Sequence, residues 1–156
     1  MKFYLSSDYV YGRSKEIADL MSENNLKMGY IPNACDFSNV DIERKKKSDK
    51  KDMSFLSESG IDVEVLDLKD YFGKTDELKK KITTLGGVFV RGGNTFILRQ
   101  AMHLSGFDEI FKNLLRRDDF VYAGYSAGIC VLARSLEALQ IVDDPNDHPY
   151  PEMKET

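Results

Sequence analysis

The chain has few of the residues from which structural metal sites are built. Its 156 residues include two cysteines, Cys35 and Cys130, and two histidines. The cysteines lie far apart, with no Cys-x-x-Cys pair and no cluster of cysteine and histidine. A structural zinc site is therefore not expected, and the two cysteines are interpreted as buried or partly buried thiols.

Long hydrophobic runs and an excess of positive charge are also absent. No apolar stretch is long enough to span a bilayer, and residues 1–5 are too short and too soon polar for a signal peptide. The formal net charge of −4 argues against nucleic acid as the main partner. We therefore expect a cytoplasmic protein with neither a nucleic-acid nor a membrane partner.

Strand-like and helix-like segments alternate along the chain. Short apolar runs predict strands at residues 2–5, 27–31, 61–68, 87–90 and 120–125. Apolar residues at helical spacing predict helices after Ser14 and at residues 40–58, 75–85, 95–104 and 107–115. This order predicts an α/β fold of one domain, with a mostly parallel sheet and helices on both faces.

The polar helix at residues 40–58 carries a basic cluster. Arg44, Lys45, Lys46 and Lys47 follow one another, and acidic residues are interleaved with them. Mixed charge of this kind is more typical of a solvated helix face than of an anion or nucleic-acid site.

Ser126 lies at the centre of Gly124-Tyr125-Ser126-Ala127-Gly128. Gly-x-Ser-x-Gly between a buried strand and an apolar helix is the pattern of a nucleophile elbow, in which a strained turn exposes the serine hydroxyl. The amide of Ala127 would then point at the developing oxyanion, helped by the dipole of the following helix. The alternative is an ordinary tight turn with a capping serine.

A second glycine-rich turn, Gly92-Gly93-Asn94, follows another predicted strand. Because ligands bind at the carboxyl ends of parallel strands, its bare amides could supply a second oxyanion donor. Alternatively, Asn94 only caps the next helix. No Gly-x-Gly-x-x-Gly or Gly-Lys-Ser/Thr pattern follows, so a nucleotide is not expected.

Together, the stretches 92–96 and 122–128 closely resemble peptidase E, the aspartyl dipeptidase family of serine peptidases, in sequence and in spacing. A weaker resemblance includes residues 5–7, 30–34 and 141–145. It implies a three-layer fold like that of class I glutamine amidotransferases, with serine in place of their cysteine. It also implies hydrolysis of short peptides, such as those with an N-terminal aspartate, without a metal or organic cofactor. A lipase-like α/β-hydrolase shares the elbow, but the Gly-Gly-Asn motif and small size disfavour it.

The serine needs a base, and neither histidine is an evident one. His103 falls on a predicted helix and is interpreted as a partly exposed helix residue. His148 falls in a loop that would have to fold back towards Ser126. In the family the catalytic histidine comes later, so residues 1–156 are expected to form a single peptidase E-like domain that lacks the family's C-terminal part.

The sequence also offers more than one candidate for the acid that would orient the base. Glu137 lies near the family's acidic position and is the first candidate, with Asp143 and Asp144 as competitors. Cys130 falls about one helical turn beyond Ser126 and so outside the elbow.

Two functions remain: a serine peptidase acting through Ser126, or a truncated, non-catalytic relative that serves as a binding or remnant domain. We expect a monomer or a weak homodimer.

Overall fold

The computed structural model describes residues 1–151, which form a five-stranded sheet. The strands are β1 (Lys2–Ser6), β2 (Lys27–Ile31), β3 (Asp62–Val65), β4 (Gly87–Val90) and β5 (Val121–Tyr125). They are ordered β1-β5-β4-β2-β3, and every neighbouring pair is parallel. The predicted parallel sheet is confirmed.

Helices cover both faces of this sheet. They are α1 (Ser14–Leu20), α2 (Ile42–Ser57), α3 (Thr75–Thr83), α4 (Thr95–Ser105), α5 (Phe107–Leu114) and α6 (Ala127–Cys130). Helices α1 and α2 pack on one face, and α3, α4 and α5 pack on the other. The result is the predicted three-layer sandwich. Among residues 1–151, no helix is both long and apolar enough to cross a membrane.

The two hydrophobic cores follow from the alternation of side chains along the central strands. Tyr122 of β5 faces the layer that contains α4, whereas Val121 and Ala123 face α1 and α2. On α3, Leu78 and Ile82 are four residues apart and lie on one buried face. Strand β4 is buried throughout, as expected for a central strand covered on both sides.

The third strand is shorter than predicted, because the apolar run at residues 61–68 does not remain in the sheet. Strand β3 ends at Val65, and Asp67 caps a 3₁₀ helix, Leu68–Tyr71, by accepting from the Lys69 amide. The Leu68 amide donates to the side-chain oxygen of Asn33 at 3.0 Å. A side-chain cap has therefore replaced the sheet hydrogen bonds at this end.

The topology brings the two glycine-rich turns together. Strands β4 and β5 are neighbours, with Val90 paired to Gly124. Because both strands are parallel, the turn at Gly92 and the turn at Ser126 leave the same edge of the sheet side by side.

Candidate active site

Ser126 has the strained backbone of a nucleophile elbow. Its φ of 50° and ψ of −117° make it the one non-glycine residue with positive φ among residues 1–151. Its amide donates to the carbonyl oxygen of Ser6 at 3.2 Å, and its own carbonyl accepts from Ile129 and Cys130. The backbone is thus held from both sides while the residue remains exposed, which is what an accessible nucleophile requires.

Replacing Ser126 with glycine should make the protein more stable than replacing it with alanine, by about 1 kcal/mol. Glycine adopts this φ without a steric penalty, whereas alanine keeps the Cβ atom that causes the strain. Both variants lose the hydroxyl, so Ser126→Ala is the matched control. Urea unfolding measures the difference, and equal stability of the two variants would contradict strain at this position.

Glycines around Ser126 allow the backbone segments to approach closely. A Cβ atom on Gly92 would lie 2.9 Å from the Cβ atom of Ser126, and one on Gly128 would lie 2.2 Å from the carbonyl oxygen of Val90. These separations exclude a side chain at either glycine. The structure therefore explains the small residues of both motifs by close approach of the two turns.

Two backbone amides beside Ser126 are available to a ligand. Among residues 1–151, the amides of Gly93 and Ala127 donate to no other backbone group or side chain in the fold. Gly93 has a φ of 153°, and a Cβ atom there would lie 2.2 Å from the Ala34 carbonyl oxygen. Such amides at neighbouring strand ends are the kind of donor that stabilises an oxyanion.

Asn94 has its polar groups engaged in the fold. Its side-chain oxygen accepts from the amides of Phe96 and Ile97 and so caps α4. Its own amide donates to Ala34, and its side-chain nitrogen donates to the Asp144 carbonyl at 2.9 Å. The capping interpretation therefore describes this side chain, and the donors left for a substrate are those of the backbone beside it.

The helix after Ser126 is much shorter than the apolar run at residues 129–133 suggests. Helix α6 ends at Cys130. The carbonyl groups of Val131 and Ala133 accept from the Arg99 guanidinium at 2.7 and 3.2 Å, instead of continuing the helix. Because α6 is one turn long, its dipole adds less to the elbow than a full helix would.

No base is in place on Ser126 in the described part of the chain. No hydrogen bond there joins its hydroxyl to a histidine or a carboxylate. His103 is exposed on α4, with its Nδ1 atom 3.3 Å from Asp108. His148 is also exposed and makes no hydrogen bond among these residues. A base for Ser126 is therefore not assembled in the conformation described.

The candidate acids occupy different surroundings. Glu137 is exposed at the start of the 3₁₀ helix Glu137–Ile141. The carboxylate of Asp143 accepts from the amide of Thr95 at 2.9 Å, and Asp144 contacts Asn94 through its carbonyl. The loop around residues 143–147 thus lies across the start of α4. Residues 1–151 contain no group of three or more histidine, cysteine, aspartate or glutamate side chains placed to hold a metal ion.

A buried carboxylate beneath the elbow was not predicted from the sequence. Asp52 of α2 is 2% exposed and accepts from the hydroxyls of Tyr11, Tyr30 and Tyr125 at 2.9, 2.8 and 3.0 Å. Burial, and then the charge of Asp52, raise the pKa of Tyr125 above its ordinary value, so that it remains a donor. Tyr125 precedes Ser126, so α2 supports the elbow directly.

The same helix supports the neighbouring turn through Arg91. The Arg91 guanidinium forms an ion pair with Asp49 and donates to Ser48 at 3.2 Å and to the Gly92 carbonyl at 3.2 Å. The thiol of Cys35 lies 3.3 Å from that carbonyl, and burial raises its pKa against the opposing effect of Arg91. Both turns of the site are therefore tied to α2.

The position of these acids on α2 could have been read from the sequence. The spacing of Asp49, Asp52 and Leu56 is three and four residues, the spacing of one helix face. Leu56 is fully buried, so its face is the inner one. Most lysines of α2 lie elsewhere on the helix and are exposed, as predicted.

Comparison with known proteins agrees with this geometry. The model of peptidase family S51 matches residues 5–155. A solved structure from Listeria monocytogenes EGD-e, described as a peptidase E protein, superposes with a TM-score of 0.67 at 24% sequence identity, over 92% of this chain and 68% of the other. It shares the fold, which is that of the class I glutamine amidotransferases. No curated protein matches. The resemblance to peptidase E is confirmed, and the chain belongs to peptidase family S51.

Proposed function

We propose that this chain is a serine-type peptidase that hydrolyses short peptides through an acyl-enzyme on Ser126. The observation that carries the proposal is the strained, exposed Ser126 beside the unengaged amides of Gly93 and Ala127. Acyl transfer requires a strained, accessible nucleophile and fixed hydrogen-bond donors, and here both lie at the carboxyl ends of neighbouring strands.

In the proposed reaction, the Ser126 oxygen attacks the carbonyl carbon of the scissile peptide bond as its proton passes to a base. The amides of Gly93 and Ala127 donate to the oxyanion of the tetrahedral intermediate. Collapse of this intermediate breaks the C–N bond, and the leaving amine takes a proton. Water then attacks the acyl-enzyme, releasing the acid and restoring Ser126.

The absence of a base on Ser126 among residues 1–151 favours the second function considered, a binding domain that does not turn substrate over. Without a base, a serine site retains only the small rate enhancement of its oxyanion hole and substrate binding. His148 lies in a loop and could act as the base if that loop folded back towards Ser126. Whether His148 accepts the serine proton therefore distinguishes a peptidase from a binding domain.

A fluorophosphonate probe should label the protein, and Ser126→Ala should abolish the labelling. The reagent forms a bond with an activated serine oxygen, so labelling reports the nucleophile directly. Cys130→Ser is the control for a neighbouring nucleophile and should label like the parent. Peptide mapping of the adduct identifies the modified residue.

The same assay tests the base. If His148 accepts the proton, His148→Gln should slow labelling at least tenfold, whereas His103→Gln should leave it unchanged. Absence of labelling in folded protein, together with no hydrolysis of aspartyl dipeptides, would overturn the peptidase proposal and support the binding function.

A further inference from the structure

A positively charged groove runs between the tyrosine loop after β1 and the outer face of α2. Its lining, here called the α2 groove, includes Tyr9, Tyr11, Arg44, Lys47, Lys50 and Lys51. No carboxylate lines it in the described part of the chain. Such a groove concentrates anions, because its cations act together on one ligand.

The cations of the α2 groove are not neutralised within the fold. Arg44, Lys47 and Lys50 form no ion pair with a carboxylate in residues 1–151, unlike two lysines between them. Lys45 pairs with Asp36 and Asp49, and Lys46 pairs with Glu43. The unpaired groups therefore remain free to bind a negatively charged ligand.

One wall of the α2 groove is aromatic and rigidly held. The rings of Tyr9 and Tyr11 stack with centroids 5.1 Å apart and planes at 8°, yet they are 53% and 37% exposed. The Tyr11 hydroxyl donates to Asp52, and the Lys51 ammonium lies 4.5 Å from the Tyr11 ring centroid. An exposed aromatic surface fixed in this way offers a contact for the apolar part of a ligand.

The α2 groove also adjoins residues that flank the candidate active site. The Tyr9 ring packs on the Tyr125 ring with centroids 5.1 Å apart, and Tyr125 precedes Ser126. Tyr9 and Arg44 also line the adjoining depression with Arg91. Arg91 in turn precedes Gly92, where a Cβ atom would lie 2.9 Å from the Cβ atom of Ser126. The α2 groove is therefore next to the residues that flank Ser126.

We propose that the α2 groove binds the free C-terminal carboxylate of the peptide substrate, an inference that rests on the proposed function. Every unmodified short peptide carries this charge close to its scissile bond. A longer peptide would place an uncharged amide in the groove and lose the ion pair with Arg44 and Lys47. The groove therefore selects substrates by length, through charge rather than through a closed wall.

Calorimetric titration of the Ser126→Ala variant tests this without turnover. The ligands are aspartyl-leucine, its C-terminal amide, and asparaginyl-leucine. Amidation should weaken binding about tenfold or more, the equivalent of one charge-assisted hydrogen bond. In the double variant Arg44→Gln/Lys47→Gln, on the Ser126→Ala background, the acid and the amide should bind equally.

The matched control is Lys15→Gln/Lys46→Gln, which removes the same charge outside the groove and should keep the tenfold preference. An equal loss in the control would show general attraction and overturn the proposal. The proposal would also be overturned if the Ser126→Ala variant bound aspartyl-leucine and its C-terminal amide equally, or bound neither of them. A third result would also overturn the proposal. If the Arg44→Gln/Lys47→Gln change weakened binding of aspartyl-leucine and its amide equally but did not affect asparaginyl-leucine, the groove would bind the acidic side chain instead. Fluorophosphonate labelling is scored separately, so selective binding without labelling would remove the serine mechanism but not the groove.

Discussion

Replacing Asp52 with leucine is expected to lower the free energy of unfolding by about 3 kcal/mol. Leucine is close in size but accepts no hydrogen bond, so the Tyr125 hydroxyl would be buried without its acceptor. Tyr30 would keep its bond to Asp49 at 3.1 Å, and Tyr11 is exposed enough to reach water. The cost is therefore smaller than three full hydroxyl penalties.

Two variants sharpen this test. Asp52→Asn keeps one side-chain oxygen as an acceptor and should cost about 1 kcal/mol. Asp19→Leu changes an exposed aspartate of α1, paired to Lys15 on the surface, and should lie within about 0.5 kcal/mol of the parent. Urea unfolding of all three gives the comparison. A parent-like stability of Asp52→Leu would show that the tyrosine cluster does not depend on this carboxylate.

Gly128→Ala is expected to cost about 3 kcal/mol or more and to abolish fluorophosphonate labelling. The new methyl group would lie 2.2 Å from the Val90 carbonyl oxygen and 2.9 Å from its carbonyl carbon. Both atoms belong to the central strand β4, which is hydrogen-bonded on both sides and cannot move away. Relief must come from the elbow instead, which displaces Ser126.

Gly73→Ala is the control for this prediction. Gly73 has a φ of 69° with no atom within 4 Å of its built Cβ, so the substitution adds only backbone strain of about 1–2 kcal/mol. It lies away from the two turns and should leave labelling unchanged. If Gly128→Ala were no worse than Gly73→Ala and still reacted with the probe, close packing of the elbow on β4 would not be essential.

The sequence was sufficient to predict the fold and the position of the elbow. Buried strands appear as continuous apolar runs, and a serine between two glycines directly after such a run is typical of a strained strand-to-helix turn. The ends of elements were harder to predict. Asp67 and Asn33 divert the chain after Val65 through side-chain hydrogen bonds. The Asp67 cap is local, but the bond from the Leu68 amide to Asn33 depends on a residue that is distant in sequence.

The supports of the site were the least predictable. Asp52 lies in a helix so rich in lysine that its average character indicates solvent exposure, and its tyrosine partners come from three separate segments. Arg99 ends the helix after Ser126 from another element altogether. The spacing of Asp49, Asp52 and Leu56 indicates a shared helix face, but it does not show which residues Asp52 contacts, because each long-range polar contact needs a single partner from another segment. The roles of Glu137 and His148 stay predictions for the same reason.

The pairing of β1 with β5 has a consequence for how the molecule assembles. Residues 2–6 pair with residues 121–125, and Ser6 also accepts from the Ser126 amide. During synthesis, β1 must wait for more than a hundred residues before its partner exists, and closing so long a loop carries a large entropic cost. The turn at Ser126 can thus be completed only after β2, β3 and β4 have been made. Its strained backbone is therefore a late product of synthesis, supported by both an early and a late strand.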